Sequence, residues 1–199
     1  MTAPGAGMCL LMGGEEPLKP SNTGWLIADV VPDTFAFAWS RTAPDAALLT
    51  LLADRKWQPY VVFPGEFAGE GRAKSSLLPL EAEDPNGRSR PLFILLDGTW
   101  SEARKMFRKS PYLDLLPVLS LPPDKPSHYP LRRSRNSGHY CTSEVGAMCL
   151  ALAGEWSAAQ MLDAYLDVFT HHYLKAKNQQ PPDWQSAAHL KLLALAPIT

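Results

Sequence analysis

Residues 92–106, LFILLDGTWSEARKM, contain two patterns in immediate succession, an uninterrupted apolar run and then an amphipathic repeat. The apolar residues 92–96 predict a strand that is covered on both faces, as in the sheet of an α/β protein. Gly98 permits a tight turn, and Thr99 and Glu102 have the spacing of a helix capping box. The stretch therefore predicts a buried strand, a turn and a helix.

Asp97 lies at the carboxyl end of this predicted strand. In open α/β sheets ligands bind at that edge, because loops and helix N-termini converge there. A second acid, Glu66, follows the predicted strand 60–63 and the turn residues Pro64 and Gly65. Two acids after two strands indicate a shared cleft. At this stage Asp97 has either a catalytic or a helix-capping role, and Glu66 belongs either to the site or only to the turn.

The helix after Asp97 is predicted to have an apolar face and a basic face. Trp100, Ala103 and Phe107 recur at helical spacing and are expected to face the core. The opposite face carries four cations: Arg104, Lys105, Arg108 and Lys109. A basic surface is therefore expected beside a carboxylate.

Strands and helices alternate along the rest of the chain. Further strands are predicted at 8–12, 35–39 and 116–123. Further helices are predicted at 46–53 and 184–195. Two more helices are predicted to begin at Thr142, as N-cap, and at a capping box formed by residues 157–160. Residues 68–90, which are rich in Gly, Ser, Pro and charge, are predicted to be a loop. This order predicts an α/β fold with a mostly parallel sheet.

Length and composition indicate one domain, spanning residues 1–199, in a soluble protein with 46% hydrophobic and 20% charged residues. No apolar run approaches the roughly 20 residues that cross a bilayer. No Lys or Arg precedes the short apolar segment near the N-terminus, which argues against a secretory signal. We therefore expect a cytoplasmic protein without a membrane partner. Cys9, Cys141 and Cys149 form no C-x-x-C pair, and we expect free thiols rather than a metal site.

Positive charge is concentrated in one segment. The whole chain has a formal net charge of −1, whereas residues 104–135 contain eight Lys or Arg and two Asp, a local charge of +6. Such a patch is either a solvated surface or a contact for a phosphate backbone. Tyr129 and Tyr140 lie in or next to this segment, and their rings are candidates for stacking on bases.

The sequence resembles the DTW-domain proteins, a family of tRNA-uridine aminocarboxypropyltransferases. The family motif Asp-x-Thr-Trp is matched at residues 97–100. Six further blocks follow the family's order, namely 22–24, 39–42, 63–66, 103–106, 129–132 and 142–144. The resemblance covers roughly residues 9–173. The chain departs from the family in lacking a cysteine-rich zinc segment before the first strand, and in having Gly13-Gly14 where many members have His-Pro.

The resemblance implies a fold related to the SPOUT methyltransferases, with a trefoil knot near the C-terminus and S-adenosylmethionine as donor substrate. No metal is expected. The residues that the resemblance places near the donor are Pro64, Gly65, Glu66, Asp97, Gly98, Leu119, Leu121, Leu131, Arg132, Thr142 and Glu144.

The implied reaction moves the 3-amino-3-carboxypropyl group to N3 of a tRNA uridine and releases methylthioadenosine. Asp97 is expected either to accept the N3 proton or to orient the substrate, with Thr99 and Trp100 beside it. Each of three residues also has a structural interpretation. Thr99 is a candidate helix cap, Trp100 a candidate core residue, and Glu144 a candidate partner of the helix dipole. Phosphates of tRNA are expected to contact Arg104, Lys105, Arg108, Lys109, Arg133 and Arg135.

Two alternative functions remain open from the sequence. One is an S-adenosylmethionine-dependent RNA methyltransferase, and the other is a non-catalytic RNA-binding module. No obligate protein partner is evident.

Overall fold

The structure, a computed structural model, describes residues 5–77, 90–122, 127, 129–130 and 140–195. Within these residues the chain forms six strands: β1 (Gly7–Met12), β2 (Thr34–Ala38), β3 (Trp57–Val62), β4 (Ala73–Lys74), β5 (Arg90–Asp97) and β6 (Val118–Leu119). They pair in the order β2-β1-β5-β3-β6-β4, and every pairing is parallel. This sheet confirms the predicted α/β class.

Helices cover both faces of the sheet. They are α1 (Gly24–Val30), α2 (Ala46–Ala53), α3 (Trp100–Lys109), α4 (Thr142–Leu152), α5 (Trp156–Lys177) and α6 (Ala187–Leu195). One core cluster contains buried residues of α1, α4 and α5, and the other contains buried residues of α2 and α3. Helix α6 packs against α5.

Strand β5 lies inside the sheet, between β1 and β3, and its side chains alternate between the two cores. Leu92 and Ile94 point to the α2/α3 side, whereas Phe93 and Leu95 point to the α1/α4/α5 side. Both faces are buried, which explains why the run is apolar without interruption. Asp97 continues the alternation of Phe93 and Leu95, so its side chain points toward α1 and α4.

Four strands end close together at one edge of the sheet. Met12 of β1 is in register with Asp97 of β5, Val62 of β3 with Leu95 of β5, and Leu119 of β6 with Val62. The loops that follow these strands therefore converge, as the shared-cleft prediction requires.

Some predicted boundaries were wrong. The predicted strand 116–123 is confined to Val118–Leu119, and residues 68–90 contain the two-residue strand β4, which has no apolar run to reveal it. Helix α5 begins at Trp156, and its N-cap residue Glu155 makes no side-chain hydrogen bond, so the capping box at 157–160 is wrong.

One expectation concerns a segment that the structure describes only in part. Most of residues 123–139 lies outside the described residues, and the knot implied by the resemblance stays a prediction. Among the described helices, none combines the length and apolarity that crossing a membrane requires.

Candidate active site

The Asp97 carboxylate is the centre of the edge described above. Its side chain is 2% exposed, and each of its oxygens accepts a hydrogen bond from a different segment. Asn22 Nδ2 donates to Oδ2 at 2.8 Å, and Thr142 Oγ1 donates to Oδ1 at 2.5 Å. Asp97 therefore joins the end of β5 to the beginnings of α1 and α4.

Asn22 uses its whole side-chain amide at this junction. In addition to Asp97, Nδ2 donates to the carbonyl of Glu16 at 3.2 Å. Its Oδ1 accepts from the backbone N–H groups of Gly24 at 2.8 Å and Trp25 at 3.2 Å. Asn22 thus caps the first turn of α1 while holding the carboxylate.

Gly24 lies directly against the Asp97 carboxylate. A Cβ built on Gly24 would be 2.7 Å from Asp97 Oδ2 and 3.1 Å from Asn22 Oδ1. Only a residue without a side chain fits between these two groups. The close contact explains a glycine at the first position of α1.

The start of α4 differs from the prediction. Cys141, not Thr142, is the N-cap residue, and it forms a capping box with Glu144. Thr142 is thereby free to donate its hydroxyl to Asp97, a charge-assisted bond that is stronger than a cap on a neutral N–H. Thr23 reinforces the junction, because its Oγ1 accepts from the N–H of Ser143 at 3.3 Å.

Glu144 is held inside the protein and is 4% exposed. Its carboxylate accepts from the N–H of Cys141 at 2.7 Å and from Ser127 Oγ at 2.7 Å. Of its two predicted roles, the one at the helix N-terminus is the one these contacts favour.

An ion pair borders the carboxylate on the loop after β1. Glu16 and Lys19 are bonded to each other, and Lys19 is the nearby cation that acts on Asp97. Burial raises the pKa of the Asp97 carboxyl above its ordinary value, while the hydrogen bonds from Thr142 and Asn22 and the charge of Lys19 act in the opposite direction. Asp97 is therefore easier to protonate than an exposed aspartate.

Thr99 and Trp100 have contacts typical of a helix cap and a core residue. Thr99 N donates to Glu102 Oε2 at 2.8 Å, and Glu102 N donates to Thr99 Oγ1 at 3.4 Å, which confirms the predicted capping box. The Trp100 ring stacks on Phe63, with 5.3 Å between ring centroids and an interplanar angle of 11°. Trp100 packs against the core on the α3 side of the sheet.

The predicted donor-binding segments after β3 and β6 meet each other. Gly65 N donates to Ser120 Oγ at 3.0 Å. Glu66 is exposed, whereas the side chain of Leu119 is fully buried in the core and Leu121 packs partly buried against it. The structure thus brings together at one edge the predicted residues Pro64, Gly65, Glu66, Asp97, Gly98, Leu119, Leu121, Thr142 and Glu144.

The predicted basic face of α3 is exposed at all four positions, Arg104, Lys105, Arg108 and Lys109. Two of its cations cover aromatic rings: the Arg104 guanidinium lies 5.0 Å from the centroid of Phe67, and Lys105 Nζ lies 5.5 Å from that of Trp39. Because α3 covers the face of the sheet opposite to α1 and α4, these cations are on the other side of the sheet from the carboxylate.

Several predicted contacts cannot be placed or have another role. Leu131, Arg132, Arg133 and Arg135 lie outside the described residues. Tyr129 is 8% exposed and its hydroxyl donates to the carbonyl of Ser21 at 3.1 Å, so its ring packs in the core rather than presenting a face to bases. In the part of the chain that the structure describes, no group of three or more His, Cys, Asp or Glu side chains is arranged to hold a metal ion.

Sequence reasoning did not identify Glu16, Lys19 or the contact between Asn22 and Asp97. Residues 22–24 were recognisable as a matched block, but nothing local shows that Asn22, which is 75 residues away in the sequence, binds the carboxylate. Glu16 and Lys19 carry no pattern beyond their three-residue spacing.

Comparison with known proteins identifies a family. A family model described as the DTW domain matches residues 2–174. No solved structure matches the chain.

Proposed function

Because the chain belongs to the DTW-domain family, we propose that it is a tRNA-uridine aminocarboxypropyltransferase that uses S-adenosylmethionine. The observation that supports this most directly is the Asp97 carboxylate, buried at the carboxyl edge of a parallel sheet and held by two donors. Burial opposes the ionisation of a carboxylate, so a residue that served only packing would not need one at this position.

In the proposed reaction, N3 of uridine attacks the methylene carbon of the aminocarboxypropyl group next to the sulfonium. The N3–C bond forms, the C–S bond breaks with its electron pair going to sulfur, and methylthioadenosine leaves. The N3 proton passes to Asp97, and the raised pKa of this carboxyl makes it a better base than an exposed aspartate. Since Asp97 is 2% exposed, the uridine reaches it only after a covering group moves.

The charge of this edge suits the proposed donor. Carboxylates of Asp97, Glu16, Glu102 and Glu144 lie at or beside it, and they favour a molecule with a sulfonium and an ammonium group. Lys19, which is paired with Glu16, is the cation nearest to Asp97 in this group and would have to exchange that partner to bind the donor's carboxylate. The donor-binding residues predicted from the sequence remain part of this proposal.

Transfer is tested by incubating the protein with S-adenosylmethionine and unmodified tRNA and identifying the nucleoside and the by-product. We expect aminocarboxypropyluridine and methylthioadenosine. S-adenosylhomocysteine would indicate methyl transfer instead, and tRNA binding without any product would indicate a binding module.

Asp97→Asn tests the role of the carboxylate. The amide has the same shape and can keep both hydrogen bonds, because the Thr142 hydroxyl accepts as well as donates. We expect loss of product with donor binding largely retained. Activity equal to that of the unchanged protein would remove Asp97 from the mechanism.

A further inference from the structure

The side chain of Asn22 has one possible orientation. Its Oδ1 faces the N–H groups of Gly24 and Trp25, and its Nδ2 faces Asp97 Oδ2 and the Glu16 carbonyl. Rotation of the amide by 180° would place a donor against two donors and an acceptor against two acceptors. At 5% exposure there is little water to compensate. Asn22 is therefore a fixed donor to Asp97.

Asn22 and Thr142 together define the plane of the carboxylate, because each binds a different oxygen. The Thr142 hydroxyl hydrogen can rotate, whereas the amide hydrogen of Asn22 cannot. A general base acts efficiently only when its lone pair is held in the direction of the proton it accepts.

We infer that Asn22 is a positioning residue that fixes the Asp97 carboxylate for proton transfer and couples it to the first turn of α1. This inference rests on the proposed function for its consequence in catalysis, but the interaction itself can be measured without transfer activity. Asn22 does not contact the reacting atoms in this scheme and acts only through Asp97.

Asn22→Asp separates the two roles of the residue. The new carboxylate keeps an acceptor for Gly24 N and Trp25 N, so the cap of α1 is retained. Its second oxygen, however, replaces a donor 2.8 Å from Asp97 Oδ2. Two carboxylates at this distance share one proton, and the pair titrates with one pKa strongly raised.

We expect N22D to move the acid limb of the pH–rate profile upward by about one pH unit or more, with at least about a tenfold loss of kcat at neutral pH. The KM for the donor should change little. Carbon NMR of the aspartate carboxyls should show Asp97 titrating at higher pH than in the unchanged protein. Asn178→Asp, at an exposed position after α5, adds the same charge outside the Asp97 junction and should leave both measurements unchanged.

The exchange N22D/D97N restores the hydrogen bond with donor and acceptor reversed. We expect it to recover part of the thermal stability that N22D loses at neutral pH, because the Glu16 carbonyl still lacks its donor. The variant should remain inactive, because the carboxylate now lies on the wrong residue. An N22D variant with unchanged pH profile and unchanged Asp97 titration would overturn the inference, and so would an exchange variant with normal activity. If the unchanged protein transfers nothing but N22D still shifts the Asp97 titration, the proposed function fails and the positioning contact stands.

Discussion

At the level of single side chains, the Asp97 carboxylate combines burial with two hydrogen bonds from groups far away in the sequence. Burial opposes its charge, and the two donors and Lys19 partly offset that effect. The pKa of Asp97 is higher in the folded protein than in the unfolded chain. Between these two pKa values the folded state binds more protons, so the free energy of unfolding falls as the pH rises from the unfolded pKa through the folded one. The residue is therefore held in place at a cost to stability.

Gly24 allows a sharp test of how tightly this junction is packed. Gly24→Ala would place a methyl group 2.7 Å from Asp97 Oδ2, and we expect the free energy of unfolding to fall by about 1–3 kcal/mol although alanine favours helices. Gly14→Ala is the matched control, because its Cβ would meet nothing within 4 Å, and we expect a change within about 0.5 kcal/mol. Urea denaturation measures both. Equal stability of the two variants would show that the side chains around Gly24 shift at little cost in free energy.

Among the secondary-structure elements, α6 is attached to α5 by polar contacts. It lies beyond residues 2–174 that the family model matches, and none of its residues is buried. His172 Nε2 and His189 Nε2 are 2.8 Å apart, and Lys191 Nζ is 2.7 Å from Asp167 Oδ2. Just before α6, the Trp184 ring packs on His172. An attachment of this kind depends on protonation more than on apolar burial.

The histidine pair predicts that α6 detaches in acid. One ring must donate and the other accept, and protonation of both rings removes the acceptor. Burial and the neighbouring His189 and His171 lower the pKa of His172. For a base with a lowered pKa, the stabilising contribution is present above its unfolded pKa and is lost as the pH falls. Asp183, 3.4 Å from His171 Nε2, partly opposes this loss.

Hydrogen exchange measures the effect directly. Between pH 7.5 and pH 5, we expect the protection of amides in α6 to fall relative to that of α4, after correction for the intrinsic pH dependence of exchange. Replacing both His172 and His189 by Gln retains a donor–acceptor pair at every pH and should remove this difference. Protection of α6 that does not change with pH would contradict the prediction.

The elements also show which parts of the fold the sequence could predict. Helix α2 has the predicted bounds, Ala46–Ala53, and β5 lies where the apolar run predicts it, because both depend on local patterns. Strand β4 was missed because two residues acquire strand structure only by pairing with β6. The prediction of Thr142 as N-cap was wrong because its hydroxyl binds Asp97, a stronger acceptor that is distant in the sequence. Local patterns predicted the framework, whereas the contacts inside the site depend on tertiary packing.

For the molecule as a whole, charge is distributed unevenly between the two faces of the sheet. The α3 face exposes Arg104, Lys105, Arg108 and Lys109 in a chain whose formal net charge is −1. Since α3 and the carboxylate lie on opposite sides of the sheet, a tRNA that contacts both would have to reach across its carboxyl edge. Phosphate contacts on α3 would then orient the RNA rather than take part in the chemistry.

Charge reversal tests this division of roles. We expect Arg108→Glu with Lys109→Glu to weaken tRNA binding about tenfold or more, to reduce its salt dependence, and to leave donor binding unchanged. The control reverses Lys175 and Lys177 on α5, which covers the opposite face. Equal effects of the two pairs would mean that net charge, not the α3 face, attracts the RNA.

The three-way junction at Asp97 also has a consequence for biosynthesis. Asn22 precedes Asp97 by 75 residues and Thr142 follows it by 45, and a ribosome delivers them in that order. A nascent chain therefore contains all six described strands while its carboxylate still lacks one of its donors. Emergence of α4 completes the junction, so a polypeptide interrupted before that helix would carry the sheet without the bond from Thr142 to Asp97.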